Sequence, residues 1–466
     1  MNVRLRATLL ALAFLTMPAT SWADPPSSAI EEAGPKVDAY INAQMKRHRI
    51  PGLSLAVVKD GKIIKAAGYG LANVETNTPA TPETRYKIAS VSKPIVATAV
   101  MILVQEGKLG LEDKASRYLE DTPEAWKDIT VRQLMNHTSG LVEDPPGFEP
   151  FRIKPDAEVI RSLYSKPLLF KPGAGFSYSN AAYFALGEII RKASGTPWDE
   201  LLQARVFGPT GMSSTRTTTT TEIVPQRARG YSLKEWRLIN AEDWVAVRPS
   251  GAFLSTAVDL AKWDLALDAA EILPKSSLEQ MWAPTKLSDG KVVPYGLGWT
   301  AAHWQGHRQI SHNGHLPGFL TQFQRFPDDR LTVALLVNTE KADTNKLALN
   351  VAGLYVPELT PPPLNPIADT EPEVTAKVKS FIDGWVAGKL DLNLFTEPLR
   401  KRVAESPPSN ELGWPGTIES IALVERRAHD GGREYRYRVN YRDYSLILVC
   451  NLDGEDRITG FGTQLD

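Results

Sequence analysis

The segment Ile88-Ala-Ser-Val-Ser-Lys-Pro94 carries a hydroxyl and an amine three residues apart. On a helix, residues i and i+3 share a face, so Ser90 and Lys93 would stand side by side. A serine hydroxyl is a poor nucleophile until a base takes its proton, and a lysine serves as that base only where its surroundings lower its pKa. Pro94 is tolerated only in a first helical turn, so the helix must start close to Ser90. The hydroxyl then lies at the positive end of the helix dipole, where backbone N–H groups can stabilise a developing oxyanion. These residues point to a serine nucleophile with a lysine base.

The spacing alone is common. Ser288-Asp-Gly-Lys291 also fits it, but an Asp-Gly centre marks a turn. What distinguishes Ser90 is order: Ser90-x-x-Lys93 is followed by Tyr178-Ser-Asn180 and then by His312-Asn-Gly314, whereas the similar Tyr40-Ile-Asn42 lies upstream of the serine and His429-Asp-Gly431 lies near the C-terminus. Leu134-Met-Asn-His-Thr-Ser-Gly-Leu141, Phe170-Lys-Pro-Gly173 and Tyr295-Gly-Leu-Gly-Trp299 accompany the set. In this order the chain resembles the serine β-lactamase and penicillin-binding protein superfamily over about residues 35 to 357. Within it, the chain is most similar to the class C branch of β-lactamases, D-alanyl-D-alanine carboxypeptidases, D-aminopeptidases and esterases. The resemblance implies that Ser90 attacks a carbonyl, that Lys93 with Tyr178 shuttles the proton to the leaving group, and that Asn180 orients substrate and Lys93. It also places His312, where many members have lysine, as a hydrogen-bonding or electrostatic group facing the substrate, with Gly314 as a further substrate-binding residue and the backbone N–H groups of Ser90 and His315 as the oxyanion hole.

A β-lactamase of this branch usually has Lys-Thr-Gly where this chain has His312-Asn313-Gly314. Histidine is mostly neutral at pH 7 and grips a drug's carboxylate less firmly. An esterase or a D-amino-acid peptidase or carboxypeptidase therefore ranks above a class C-type β-lactamase, with a small ester, amide or peptide as substrate. A reading from another class, a non-catalytic module that holds peptidoglycan fragments, is opposed by the intact Ser90, Lys93 and Tyr178. His137 reads as a turn or cap residue. His303, His307, His312 and His315 crowd together but lack the His-Glu-x-x-His helix, so no metal and no cofactor are expected. There is no Gly-x-Ser-x-Gly elbow and no phosphate-binding glycine loop.

These side chains need a frame. An amphipathic pattern predicts a helix over 33–49, and Leu53–Val58, Asp60-Gly61 and Lys62–Ala67 predict a β-hairpin. Helical periods follow at 91–105, 131–136, 181–192 and 258–270, and strand patterns at 295–299, 320–326 and 331–338. The fold class expected is α+β: one antiparallel sheet built from both ends of the domain, flanked by helices and interrupted by an all-helical region, with the site where the two meet. The loops at 142–154 and 213–229 would shape the substrate pocket. Residues 24–357 form this domain, a Pro-rich linker occupies 358–372, and 373–466 form a small α+β domain of about one helix and four strands, similar to cystatin-like or nuclear-transport-factor-like domains. Residues 1–23, with Arg4 and Arg6, an apolar core at 9–17 and Ser21-Trp22-Ala23, read as a signal peptide, which makes the protein exported and periplasmic. The leader holds two of the 53 basic residues and none of the 54 acidic ones, so the remainder has a formal charge of −3. That gives no electrostatic reason to bind nucleic acid or to insert stably in a membrane. The single cysteine, Cys450, reads as a buried strand residue and forms no internal disulfide.

Overall fold

The computed structural model describes residues 27–234, 237–246, 248–405, 418–429, 432–441 and 445–465. The leader and the Asp430-Gly431 turn lie outside them. Strand β1 (Gly52–Lys59) turns through Asp60 and Gly61, both at positive φ, into β2 (Lys62–Asn73). This two-residue geometry matches the twist of antiparallel strands. A two-residue strand, β3 (Thr78–Pro79), pairs with β2. Some 220 residues later β4 (Thr300–Trp304), β5 (His307–Leu316), β6 (Phe319–Phe326) and β7 (Leu331–Val337) form a meander whose last strand pairs antiparallel with β1, Leu55 opposite Leu335. The result is a seven-stranded sheet in the order β4-β5-β6-β7-β1-β2-β3.

Side chains alternate across a strand, and that alternation sorts the layers. Leu53, Leu55 and Val57 of β1 face Val37, Ile41 and Met45 of α1 (Ser27–His48). On the other face, Ala56 and Val58 join the cluster that holds α2 (Ser92–Gln105), α3 (Asn180–Ser194) and α4 (Ala257–Asp268). α5 (Thr344–Tyr355) packs beside α1 through Leu347 and Val351. Every residue of α2 from Ser92 to Leu103 is buried, as expected of a helix that is apolar on all sides. At the lower part of this layer Arg325 of β6 reaches Asp264 of α4 at 2.6 Å, and Thr332 Oγ1 donates to the same carboxylate oxygen at 2.8 Å.

Three expectations are corrected. α1 begins at Ser27 rather than at Ala33, running through Pro35. The Tyr295–Trp299 segment is not a strand: β4 starts at Thr300, and Gly298, at φ 81°, lets the backbone pass where a Cβ would sit 2.9 Å from Ala97 Cβ. In the C-terminal part, α6 (Pro372–Val386) is joined by a second helix, α7 (Glu397–Glu405), which the sequence hides because it buries only Leu399 and Val403 among charges.

The C-terminal strands β8 (Ile418–His429), β9 (Gly432–Tyr441), β10 (Ser445–Leu452) and β11 (Ile458–Leu465) form a sequential antiparallel sheet. Tyr435, Tyr437, Val439 and Tyr441 alternate inward on β9 and meet Val378, Phe381 and Ile382 of α6. Cys450 is buried on β10, and burial pushes its thiol up to about 12. Arg47, near the end of α1, donates to Ser445 on β10. The C-terminal sheet thus touches the layer of α1, which is separated from α2 by the whole thickness of the large sheet. No described helix is long and apolar enough to cross a membrane.

Candidate active site

Ser90 stands in a short 3-10 turn, Ala89–Val91, that leads directly into α2. Ala89 has φ 49°, a left-handed conformation that an L-residue adopts only at a cost. Ile88, Ala89 and Val91 are buried while Ser90 is only partly so, which leaves the hydroxyl as the one side chain of the turn that reaches outward. Strand β5 presses on this turn. A Cβ on Gly314 would lie 2.1 Å from Ile88 O and 3.1 Å from Ala89 Cβ, so only glycine permits the approach. β4 pairs with β5 only as far as Ser311, so the stretch 312–316 has a free edge beside the Ser90 turn.

Lys93 is fully buried, and its Nζ meets three oxygens: Ser90 Oγ at 3.0 Å, Asn180 Oδ1 at 2.7 Å and Ser250 O at 3.0 Å. Ser250 is presented by a segment locked to the nucleophile turn, Ile88 N donating to Phe253 O at 3.0 Å and Phe253 N to Ser92 Oγ at 3.3 Å. Burial brings the lysine down to about 7, against the opposing pull of Asp144 and Glu143. A neutral amine has two protons and one lone pair. Two of its three neighbours, an amide oxygen and a carbonyl, can only accept, so they take both protons and the lone pair is left facing the Ser90 hydroxyl.

Asn180 begins α3, just after Ser179, whose side chain caps the helix by accepting from Ala182 N at 3.0 Å. The Asn180 amide is oriented from behind, its Nδ2 donating to Asp144 Oδ1 at 2.8 Å. Tyr178 packs its ring 4.7 Å from Lys93 Nζ. Burial raises the phenol well above its ordinary range, only partly offset by the Ser90 hydroxyl, so the phenol keeps its proton at neutral pH.

The structure thus brings Ser90, Lys93, Tyr178, Asn180 and Gly314 together, with His315 next along β5. The His315 side chain itself is exposed and comes within 4.0 Å of Glu340. His312 is 3% exposed, with Nε2 3.0 Å from Tyr295 Oη and Nδ1 2.6 Å from Asn313 O. Burial and the nearby lysine push it down to about 3, so it is neutral. His137 does sit in a turn, at φ 61°, yet its ring is buried 4.3 Å from that of Tyr178. Asp144, Ser250 and the hydroxyl of Tyr295 escaped sequence reasoning. The first two lie in irregular segments with no period to read, and Tyr295 stood in a signature taken for a strand. The remaining histidines diverge, His307 pairing with Asp329 at 2.9 Å, and among the described residues no three His, Cys, Asp or Glu side chains converge.

A family model described as Beta-lactamase matches residues 37–355. Penicillin-binding protein 4* of Bacillus subtilis is 30% identical over 333 residues, 67% of this chain and 73% of that protein. A D-aminopeptidase of Brucella anthropi is 29% identical over 323 residues, 65% of this chain but only 59% of the relative's length. The structure of an octameric penicillin-binding protein homologue from Pyrococcus abyssi superposes with a TM-score of 0.65 at 22% identity, covering 93% of this chain and 96% of that one, a likeness of fold that extends through the C-terminal sheet.

Proposed function

The chain belongs to the Beta-lactamase family and is a serine hydrolase, and from that premise we propose that Ser90 is its nucleophile and that it hydrolyses small amides, esters or peptides whose acyl part carries a free ammonium group. The observation that carries the mechanism is the buried Lys93 Nζ 3.0 Å from Ser90 Oγ, with two further neighbours that can only accept, so that the neutral amine would turn its lone pair to the Ser90 hydroxyl. Nζ takes the Ser90 proton as Oγ bonds to the carbonyl carbon, and the carbonyl electron pair moves onto oxygen. The backbone N–H groups of Ser90 and His315 hold that oxyanion. As the scissile bond breaks, the leaving group receives the proton from Lys93 by way of the Tyr178 hydroxyl, which is protonated before and after. A water, deprotonated by Lys93, then attacks the Ser90 ester; the second tetrahedral intermediate collapses as the bond to Ser90 Oγ breaks, Oγ takes the proton back from Lys93, and the carboxylic acid departs.

Charge supports the substrate class. Glu143 and Asp144 are exposed beside Asn180, and both act electrostatically on Lys93 and Tyr178. Neutral His312 offers no charge to a carboxylate. An acidic mouth favours an ammonium group over the carboxylate that a β-lactam or a carboxypeptidase substrate presents. The likeness to a D-aminopeptidase points in the same direction.

The test compares wild type with Ser90→Ala on the nitroanilide of D-alanine, its N-acetyl derivative, a short-chain nitrophenyl ester and a chromogenic cephalosporin. Wild type should cleave the free-amine substrate faster than the acetylated one, and Ser90→Ala should cleave neither. Activity retained by Ser90→Ala would move the nucleophile elsewhere, and a faster cephalosporin would reinstate the β-lactamase reading. Binding without turnover would make the chain a non-catalytic module. We also propose that residues 1–23 export the protein to the periplasm, which cell fractionation with and without them would decide.

A further inference from the structure

Behind Tyr178 runs a buried polar chain that the proton path above does not use. Ser179 N donates to His137 Nδ1 at 3.1 Å, His137 Nε2 lies 3.2 Å from Tyr295 Oη, Tyr295 Oη lies 3.0 Å from His312 Nε2, and His312 Nδ1 lies 2.6 Å from Asn313 O. The two ends fix the direction. A backbone N–H only donates, so His137 Nδ1 carries the lone pair and Nε2 the proton. A carbonyl only accepts, so His312 carries its proton on Nδ1 and its lone pair on Nε2. The single Tyr295 hydroxyl must then accept from His137 and donate to His312. Any other arrangement sets two protons or two lone pairs against each other in a site where His137, Tyr295 and His312 are 0%, 5% and 3% exposed.

The four partners come from different parts of the chain. Ser179 sits between Tyr178 and Asn180, His137 is in the turn after the short helix 131–135, Tyr295 is in the glycine-bounded bend that packs against α2 at Lys93, and His312 is on the free edge of β5. The rings also enclose Tyr178, with centroids 4.3 Å away for His137, 6.4 Å for Tyr295 and 6.2 Å for His312.

We infer that Tyr295, held by His137, is a positioning residue of the acyl-transfer reaction: its hydroxyl ties the segment of Tyr178 and Asn180 to the strand of Gly314 and His315 by donating to the His312 Nε2 lone pair. The inference rests on Ser90 being the nucleophile. Both rings being neutral agrees with one proton on each: burial lowers His137 and His312 alike.

The experiment has a spectroscopic arm and a kinetic arm. In full-length protein carrying 15N-histidine, two-bond proton–nitrogen correlation should show His312 as the Nδ1–H tautomer and His137 as Nε2–H, assigned through single His→Gln variants. Tyr295→Phe, which keeps the ring, should leave the His312 proton on Nδ1, held by Asn313 O, and shift only the Nε2 resonance, which loses its donor. It should lower kcat about 10- to 100-fold, the worth of one buried hydrogen bond, with KM changed less than about threefold. His137→Gln, whose amide can donate in place of Nε2, should retain more turnover than His137→Leu, and this pair decides the matter should Tyr295→Phe fail to fold. His312 found as Nε2–H, an unaltered kcat in Tyr295→Phe, or equal losses in the two His137 variants would overturn the inference. Activity retained by Ser90→Ala would instead sink the nucleophile assignment, while the tautomers of His137 and His312 would still test the hydrogen-bond chain by themselves.

Discussion

Asp144→Asn isolates one charge in the site. The asparagine oxygen can still accept from Asn180 Nδ2, so the orientation of the Asn180 amide, and through it Lys93, is kept while a negative charge disappears. Two hydrogen bonds of 2.8 and 2.7 Å and the width of one amide place the carboxylate no more than about 8 Å from Nζ. At that distance a unit charge is worth roughly 0.5 kcal/mol in water and roughly 2 kcal/mol at an effective dielectric of about 20. With roughly 1.4 kcal/mol per pH unit, these limits correspond to about 0.4 and 1.5 units. Asp144 is exposed, so solvent screening favours the lower half of the range. The sign follows from the lysine. Its neutral form is the active base, so activity is present above its pKa and lost as pH falls through about 7. Removing a carboxylate that favours the ammonium form lowers that pKa further, and the acid limb of kcat/KM should move down by less than about one unit. The assay is kcat/KM from pH 5 to 9 on an N-acetylated ester, whose acyl part carries no charge of its own, and the shift should shrink in high salt. An acid limb that stays in place, or moves up, would refute the argument that Lys93 is the titrating base under the field of Asp144.

Tyr178→Phe removes a proton carrier while keeping the ring against Lys93, and should lower kcat about 10²- to 10⁴-fold with KM nearly unchanged; steady-state kinetics on the free-amine substrate would check it. Gly314→Ala pushes a methyl group into Ile88 O, and should both abolish activity and cost about 1–3 kcal/mol or more in denaturant titration. Gly454→Ala, where a Cβ meets nothing within 4 Å, serves as its neutral control. Arg325→Leu leaves Asp264 buried without its cation and should destabilise by about 3–5 kcal/mol, read as a lower midpoint of unfolding.

Much of this frame can be read along the chain because it depends on short-range geometry. The three-residue spacing of Ser90 and Lys93, the helix start enforced by Pro94, the Asp60-Gly61 hairpin and the apolar stripe of Val37, Ile41 and Met45 are each set within a few residues. Where the reading failed, local pattern and local cause parted. Tyr295–Trp299 looks like a strand, but its glycines answer to α2, which is adjacent only in space. Helix α7 shows a stripe of two apolar residues, too thin to register against its charges.

The sequence by itself determined the pairing of Ser90 with Lys93, the order of the motifs and the sheet that carries them, because each follows from residue type and periodicity. Only the tertiary structure decided how the chemistry is tuned. Burial brings the lysine down to about 7, and the carbonyl of Ser250, 157 residues away, accepts from its Nζ. His312 becomes a neutral link because burial lowers its pKa and Tyr295 and Asn313 occupy both its nitrogens. Burial and hydrogen-bond direction are properties of what surrounds a group, and here the surroundings come from loops far apart in the chain.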